Sequence, residues 1–126
     1  MIECVNAIIL DNKIIFENDR LITLFSEHKG RFNTIAKYAA RSIKRFAGRL
    51  HPFNIVQVEI NFKNKLPKLV ECHIQEHFSN IHQDYNALLL LGYFKKLILA
   101  TTQEHQENTR LYQSFINTIK QLNENQ

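Results

Sequence analysis

The chain has 126 residues, 44% hydrophobic and 22% charged, which fits one domain with a real core or one small domain plus an appendage and excludes a disordered chain. Its net charge is +4 and its isoelectric point near 9.2, and the excess is concentrated. No acidic residue lies between Glu27 and Glu59, a gap that holds Lys29, Arg31, Lys37, Arg41, Lys44, Arg45 and Arg49, and a field of one sign attracts anionic partners, nucleic acid first and an anionic membrane surface second.

Residues 2–10 (IECVNAIIL) are rich in β-branched side chains and predict a strand. Asp11-Asn12-Lys13 reads as a turn, after which residues 14–16 (IIF) continue the sheet. The next strand is 20–26 (RLITLFS), and the turn His28-Lys29-Gly30 leads to a returning strand over 31–38, with Gly30 able to take positive φ. Glu17, Asp19 and Arg20, between the first two strands, read as a turn with a salt bridge rather than a catalytic carboxylate pair, because no nucleophile, base or phosphate loop accompanies them.

Residues 39–50 break the alternation and predict a loop with one helical turn, ended by His51-Pro52. Within it Phe46 reads as a buried anchor. Phe32 and Phe53 are assigned to the core, and Tyr38 is balanced between core packing and base stacking. Residues 55–62 (IVQVEINF) alternate strictly, with Val56, Val58, Ile60 and Phe62 on one face. After a turn at Asn64-Lys65, the strand 69–74 places Val70, Cys72 and Ile74 inward. Cys72, His73, His77 and His82 suggest a metal cluster, but Cys72 and His73 point to opposite faces of a strand, so Cys72 is read as a small core residue and no metal is assigned.

From about residue 80 the pattern turns helical. One helix is expected over 84–103, with Lys95 and Lys96 on a solvated edge. A second is expected over 107–122, where Leu111, Tyr112, Phe115, Ile116, Ile119 and Leu122 form one stripe. The longest apolar run, residues 87–94, is too short to span a bilayer. Five short strands with a long third connection suggest a β-barrel, a five-stranded Greek key of OB-fold type, followed by a small α-helical segment, with a sandwich-like fragment as the alternative. The expected division is a barrel domain over 1–80 and a helical segment over 81–126, packed on the barrel or opening a larger helical domain. The two cysteines are far apart and no secretory signal is read, so the expected location is cytoplasmic.

Three stretches, IECVNAIIL at 2–10, ENDRLITLFSEHKGRF at 17–32 and ARSIKRFAGRLHPFNIVQVEI at 40–60, resemble the N-terminal part of the RecO family of bacterial recombination mediators. In the third, Arg41, Ser42, Arg45, Phe46, Gly48, Leu50, Pro52 and Phe53 match the family's basic loop, while Tyr38 stands where a glycine is common and Ala40 where an arginine is frequent. The resemblance implies a non-catalytic protein that binds single- and double-stranded DNA, anneals complementary strands and assists recombinase loading. It also implies RecR and single-strand DNA-binding protein as partners, no cofactor, and an association with the nucleoid. Many family members carry a four-cysteine zinc site in a longer helical domain, and this chain has two cysteines.

The candidate DNA contacts are Lys29, Arg31, Lys37, Tyr38, Arg41, Lys44, Arg45 and Arg49, with the cations on phosphates and Tyr38 stacking on a base. The competing expectation is a protein-interaction adaptor whose basic loop docks an acidic partner. RNA is a further possibility, since phosphate contacts do not tell it from DNA.

Overall fold

The computed structural model describes residues 2–39, 46 and 48–124. Five strands come first, β1 (Ile2–Ile15), β2 (Asp19–Ser26), β3 (Gly30–Ala36), β4 (Ile55–Asn61) and β5 (Lys68–Glu76). They close into a barrel in the order β1-β2-β3-β5-β4, as expected for a small barrel of OB type.

β1 makes closure possible because it is shared. Its first half, Ile2 to Ile8, pairs antiparallel with β4, and its second half, Ala7 to Ile15, pairs with β2. The turn expected at Asp11-Asn12-Lys13 is not there. The register slips between Ile9 and Asp11, so the strand bulges at Leu10 and curls from one partner to the next without reversing. The polar residues stay in the strand because Asn12 is satisfied there. Its Nδ2 donates to the Leu50 carbonyl at 2.8 Å and its Oδ1 accepts from Arg20 Nη1 at 2.9 Å. The reversal comes at Phe16–Asn18, with Phe16 at φ 54°.

The β2–β3 hairpin turns as expected, with Gly30 at φ 69°. On the far side of the ring β3 and β5 run parallel, in register at Ile35 and Lys68, and Ile35 N–H donates to Pro67 O at 2.9 Å. In β5 the inward set expected as Val70, Cys72 and Ile74 is corrected. Glu71 faces Glu59 but Leu69 faces Ile60, so Val70 is a bulge residue, and Leu69 takes its place in the core. Cys72 is buried as expected, whereas Ile74, opposite Val56 near the strand's end, is 40% exposed.

The two faces of the barrel wall build two cores. Val5, Ala7, Ile9, Ile22, Leu24, Phe32, Val56, Val58 and Ile60 fill the interior, and Phe46 and Leu50 plug it from the β3–β4 connection. Ile8, Leu10, Phe25, Phe53 and Ile55 point outward and are covered by the helices, so Phe32, Phe46 and Phe53 are all core residues.

A single turn, α1 (Ser79–His82), leads into α2 (Tyr85–Thr101) and then α3 (Thr109–Glu124). Asp84 caps α2, accepting N–H bonds from Asn86 and Ala87 at 2.9 and 3.2 Å. The α3 stripe lies as expected, with Tyr112, Phe115 and Ile119 buried and Leu111, Ile116 and Leu122 half-buried against them. Tyr112 meets Phe25 edge to face at 5.8 Å, and Phe115 lies 6.4 Å from Phe53. α2 is apolar on more than one side. Leu91 and Ile98 are buried, while Tyr85, Leu89, Leu90, Tyr93 and Leu97 face solvent. Among the described residues no helix is long and apolar enough to cross a membrane.

The α2–α3 connection docks on the start of β3. Glu104 bridges to Arg31, and His105 N–H donates to Arg31 O at 2.9 Å.

Candidate nucleic-acid interface

The candidate cations lie in two places. Lys29 and Arg31 flank the start of β3, while Lys37 and Tyr38 follow its end, about 20 Å away at the usual rise of a strand. Lys29 Nζ lies 3.2 Å from Glu3 Oε1 and 5.0 Å above the Phe62 ring. The Arg31 side chain is only 15% exposed. Its Nε donates to Thr102 Oγ1 at 3.1 Å, one Nη to the Thr102 carbonyl at 2.8 Å, and the other lies 3.9 Å from Glu104 Oε1. This guanidinium holds the end of α2 to the barrel.

Lys37 and Tyr38 are exposed and open the basic connection to β4. Arg41, Lys44 and Arg45 lie outside the described residues. Arg49 is half-buried on the turn that precedes Leu50. Its carbonyl accepts from Asn54 Nδ2 at 3.2 Å, and its N–H donates to Phe46 O.

Both ends of this connection are tied to one hairpin. At the near end Tyr38 N–H donates to Asp19 Oδ1 at 2.9 Å, and at the far end the Leu50 carbonyl is held by Asn12, which Arg20 holds in turn. Asp19 and Arg20, adjacent at the mouth of the β1–β2 turn, thus anchor the basic connection by hydrogen bonds, one directly and one through Asn12.

The same barrel end carries two exposed aromatic rings. Tyr38 is 61% exposed at φ 60°, and Phe16 is 80% exposed at φ 54°. A bulky residue in the left-handed region costs about 1–3 kcal/mol, and neither residue is in the core. Phe16 was not singled out by sequence. Its strain and exposure are set by where the hairpin turns, and the readable turn signal lay at Asp11–Lys13.

Burial pushes the Cys72 thiol up to about 12, the nearby Arg49 charge opposing and Glu71 adding, so Cys72 stays protonated as a core residue. His73, the next residue, is exposed on the other face. His77 and His82 do not join Cys72. Their rings stack at 4.6 Å, and His51 lies 6.4 Å from His82. The His82 ring nitrogens face the carbonyls of Phe78 and Pro52 at 2.9 and 3.1 Å. His77 Nδ1 meets Asn54 Oδ1 at 2.9 Å. These rings bind the end of the basic connection to α1, and among the described residues no three His, Cys, Asp or Glu side chains are grouped to hold a metal.

A closed five-stranded barrel with a helical pair on one flank and a basic β3–β4 connection at one end defines the class, a small barrel protein of OB type. The family model for the N-terminal part of recombination protein O matches residues 1–78, and the chain belongs to that family. It is 31% identical over 106 residues to the DNA repair protein RecO of Caldanaerobacter subterraneus subsp. tengcongensis, covering 84% of this chain and 43% of that protein. The DNA repair protein RecO of Desulfatibacillum aliphaticivorans is 30% identical over 120 residues, 93% of this chain and 46% of the relative. That of Koribacter versatilis is 28% identical over 124 residues, 97% and 51%. The chain spans about half the length of the curated relatives it matches.

Proposed function

We propose that this chain is a non-catalytic DNA-binding module of recombinational DNA repair. The observation that carries the reading is the basic connection between β3 and β4. It lies in a stretch without a carboxylate and is tied at both ends to the β1–β2 hairpin. A tethered cationic segment beside a barrel end displaces counterions from phosphates, giving affinity without sequence preference. Lys37, Arg41, Lys44, Arg45 and Arg49 are its proposed phosphate contacts. Lys29 and Arg31 lie at the other end of β3 with partners of their own, so their proposed contribution is secondary.

A surface of this kind binds single- and double-stranded DNA, and by holding two strands close and screening their repulsion it promotes annealing. That activity needs no cofactor and no hydrolysis. Assistance in recombinase loading, contacts with RecR and single-strand DNA-binding protein, association with the nucleoid, and the division into a barrel over 1–80 and a helical segment over 81–126 belong to the same proposal.

The test is fluorescence anisotropy of a labelled single strand, titrated with protein across a salt series. With about five phosphates engaged, the log–log salt slope is expected near −3.5, and Lys44→Ala/Arg45→Ala/Arg49→Ala flattens it. No binding at low salt overturns the reading.

A second reading, the adaptor, is favoured by the exposed apolar side of α2, where Tyr85, Leu89, Tyr93 and Leu97 recur every four residues. On that reading α2 docks a protein and the basic connection recognises an acidic segment of it. Leu89→Ala/Tyr93→Ala would then abolish partner capture, and the charge variant would leave the DNA salt slope where it was.

A further inference from the structure

We propose that Phe16, at the tip of the β1–β2 hairpin, forms with Tyr38 a platform on which unpaired bases of a single strand stack. The inference rests on the nucleic-acid reading above and adds its base-contacting surface.

Phe16 combines 80% exposure with a left-handed backbone, and Tyr38, 61% exposed, has a left-handed backbone as well. Packing explains neither, since both rings lie in solvent. In the left-handed region the side chain leaves the alternation of the strand that precedes it. Phe16 is the first residue of the turn that follows β1, and it is 80% exposed there. Backbone strain maintained under an exposed apolar group marks a contact surface rather than a core device.

The two residues are linked through β2. Ile15, next to Phe16, is paired with Asp19, and the Asp19 carboxylate holds the Tyr38 N–H. Arg20 is in turn paired with Ala36. Phe16 and Tyr38 therefore emerge from β1 and β3, the two strands that flank β2, about 10 Å apart at the usual strand spacing, within the several nucleotides that one such barrel covers. Lys13 and Lys37, both exposed, lie within three residues of Phe16 and Tyr38 in sequence, and Ile14, 58% exposed, precedes Phe16 by two. Glu17 and Asp19 are the acidic groups nearby, and Asp19 is engaged with the Tyr38 backbone. Cations flanking exposed rings fit a chain of alternating phosphates and flat bases. A double helix, whose bases are already stacked on each other, does not use such rings.

The experiment compares wild type, Phe16→Ala, Tyr38→Ala and the double variant. Anisotropy is read on an oligothymidine strand and on an abasic strand of equal length, each across salt. Phe16→Ala is expected to weaken binding to the base-bearing strand roughly 5- to 150-fold while leaving the abasic strand and the salt slope unchanged. A 2-aminopurine placed in the strand should be quenched by wild type and not by the double variant. Phe16→Gly, which keeps the turn and relieves the backbone, should lose the same affinity with no loss of thermal stability, separating stacking from folding. If wild type binds both strands equally and Phe16→Ala changes nothing, the platform is overturned while the charge reading stands. If wild type binds neither strand at low salt, both fall.

Discussion

Gly30 has no room for a methyl group. A Cβ there would strike the backbone of Gln106, whose carbonyl oxygen, carbonyl carbon and nitrogen all crowd the position, the last two at 2.7 Å, and φ is +69°. The left-handed conformation alone disfavours alanine by about 1–2 kcal/mol, and neither backbone can yield without undoing the α2–α3 connection. Gly30→Ala is therefore expected to lose more than about 2 kcal/mol in urea denaturation, and a loss below that would mean the connection is not seated on β3. Arg31→Ala removes the bonds to Thr102 and is expected to cost about 1–3 kcal/mol while barely moving the DNA salt slope. A large change in slope with intact stability would return Arg31 to the phosphate track.

His77 gives a dependence on pH. Burial first, then the neighbouring His82 and His51, lower its pKa below the ordinary 6.5. As pH falls through that value the unfolded chain takes up the proton before the native one, so the stabilisation at residue 77 is present above it and lost below. The urea midpoint of wild type should fall from about pH 7.5 to about pH 5 by more than that of His77→Gln, and parallel profiles would refute it. Charge and residue type were legible in the sequence at this scale, and partners were not. Arg31 looks like any other cation of the gap until Thr102, distant in sequence, is brought beside it, and Phe16 until the turn falls on it.

Elements were legible where periodicity decides them. β4 alternates, α3 shows one stripe, and both lie within about two residues of their expected ends. β1 and β5 were misread in part because a bulge leaves no compositional mark. An inserted Leu10 or Val70 looks like an ordinary apolar strand residue, yet it reverses which neighbours face inward. α2 obeys neither simple case, being apolar on its buried side and much of its wet one. Leu91→Ala should cost about 2–5 kcal/mol, whereas Leu89→Ala, at a position 58% exposed, should stay within about 0.5 kcal/mol. Equal losses would mean that the outer side of α2 is covered in solution.

At the level of the whole molecule, the barrel wall is apolar on both sides along its helical flank. Ile8, Leu10, Phe25, Phe53 and Ile55 lose their cover if the helices leave. Barrel and helices should therefore unfold together in one transition, followed alike by far-ultraviolet circular dichroism and by tyrosine absorbance. A chain cut after residue 80 should bind a hydrophobic dye that the intact chain does not. Separate transitions, or a cut chain without dye binding, would make the barrel a unit in its own right. The overall class was readable because five strand signals precede two helical ones, and packing of the helices on the barrel was one of two expectations, but which part of the wall they cover was not readable, since it depends on the second face of β1.

The bridge between Arg31 and Glu104 also bears on self-association. β3 and β5 are in register at one residue pair, Ile35 and Lys68, so among the described residues no strand neighbours the first part of β3 on that side. A sheet edge of that kind templates the addition of a strand from another molecule. Residues 104–106 lie against it and act as a guard, so the segment that joins two helices also keeps one copy of the protein from zipping onto the next.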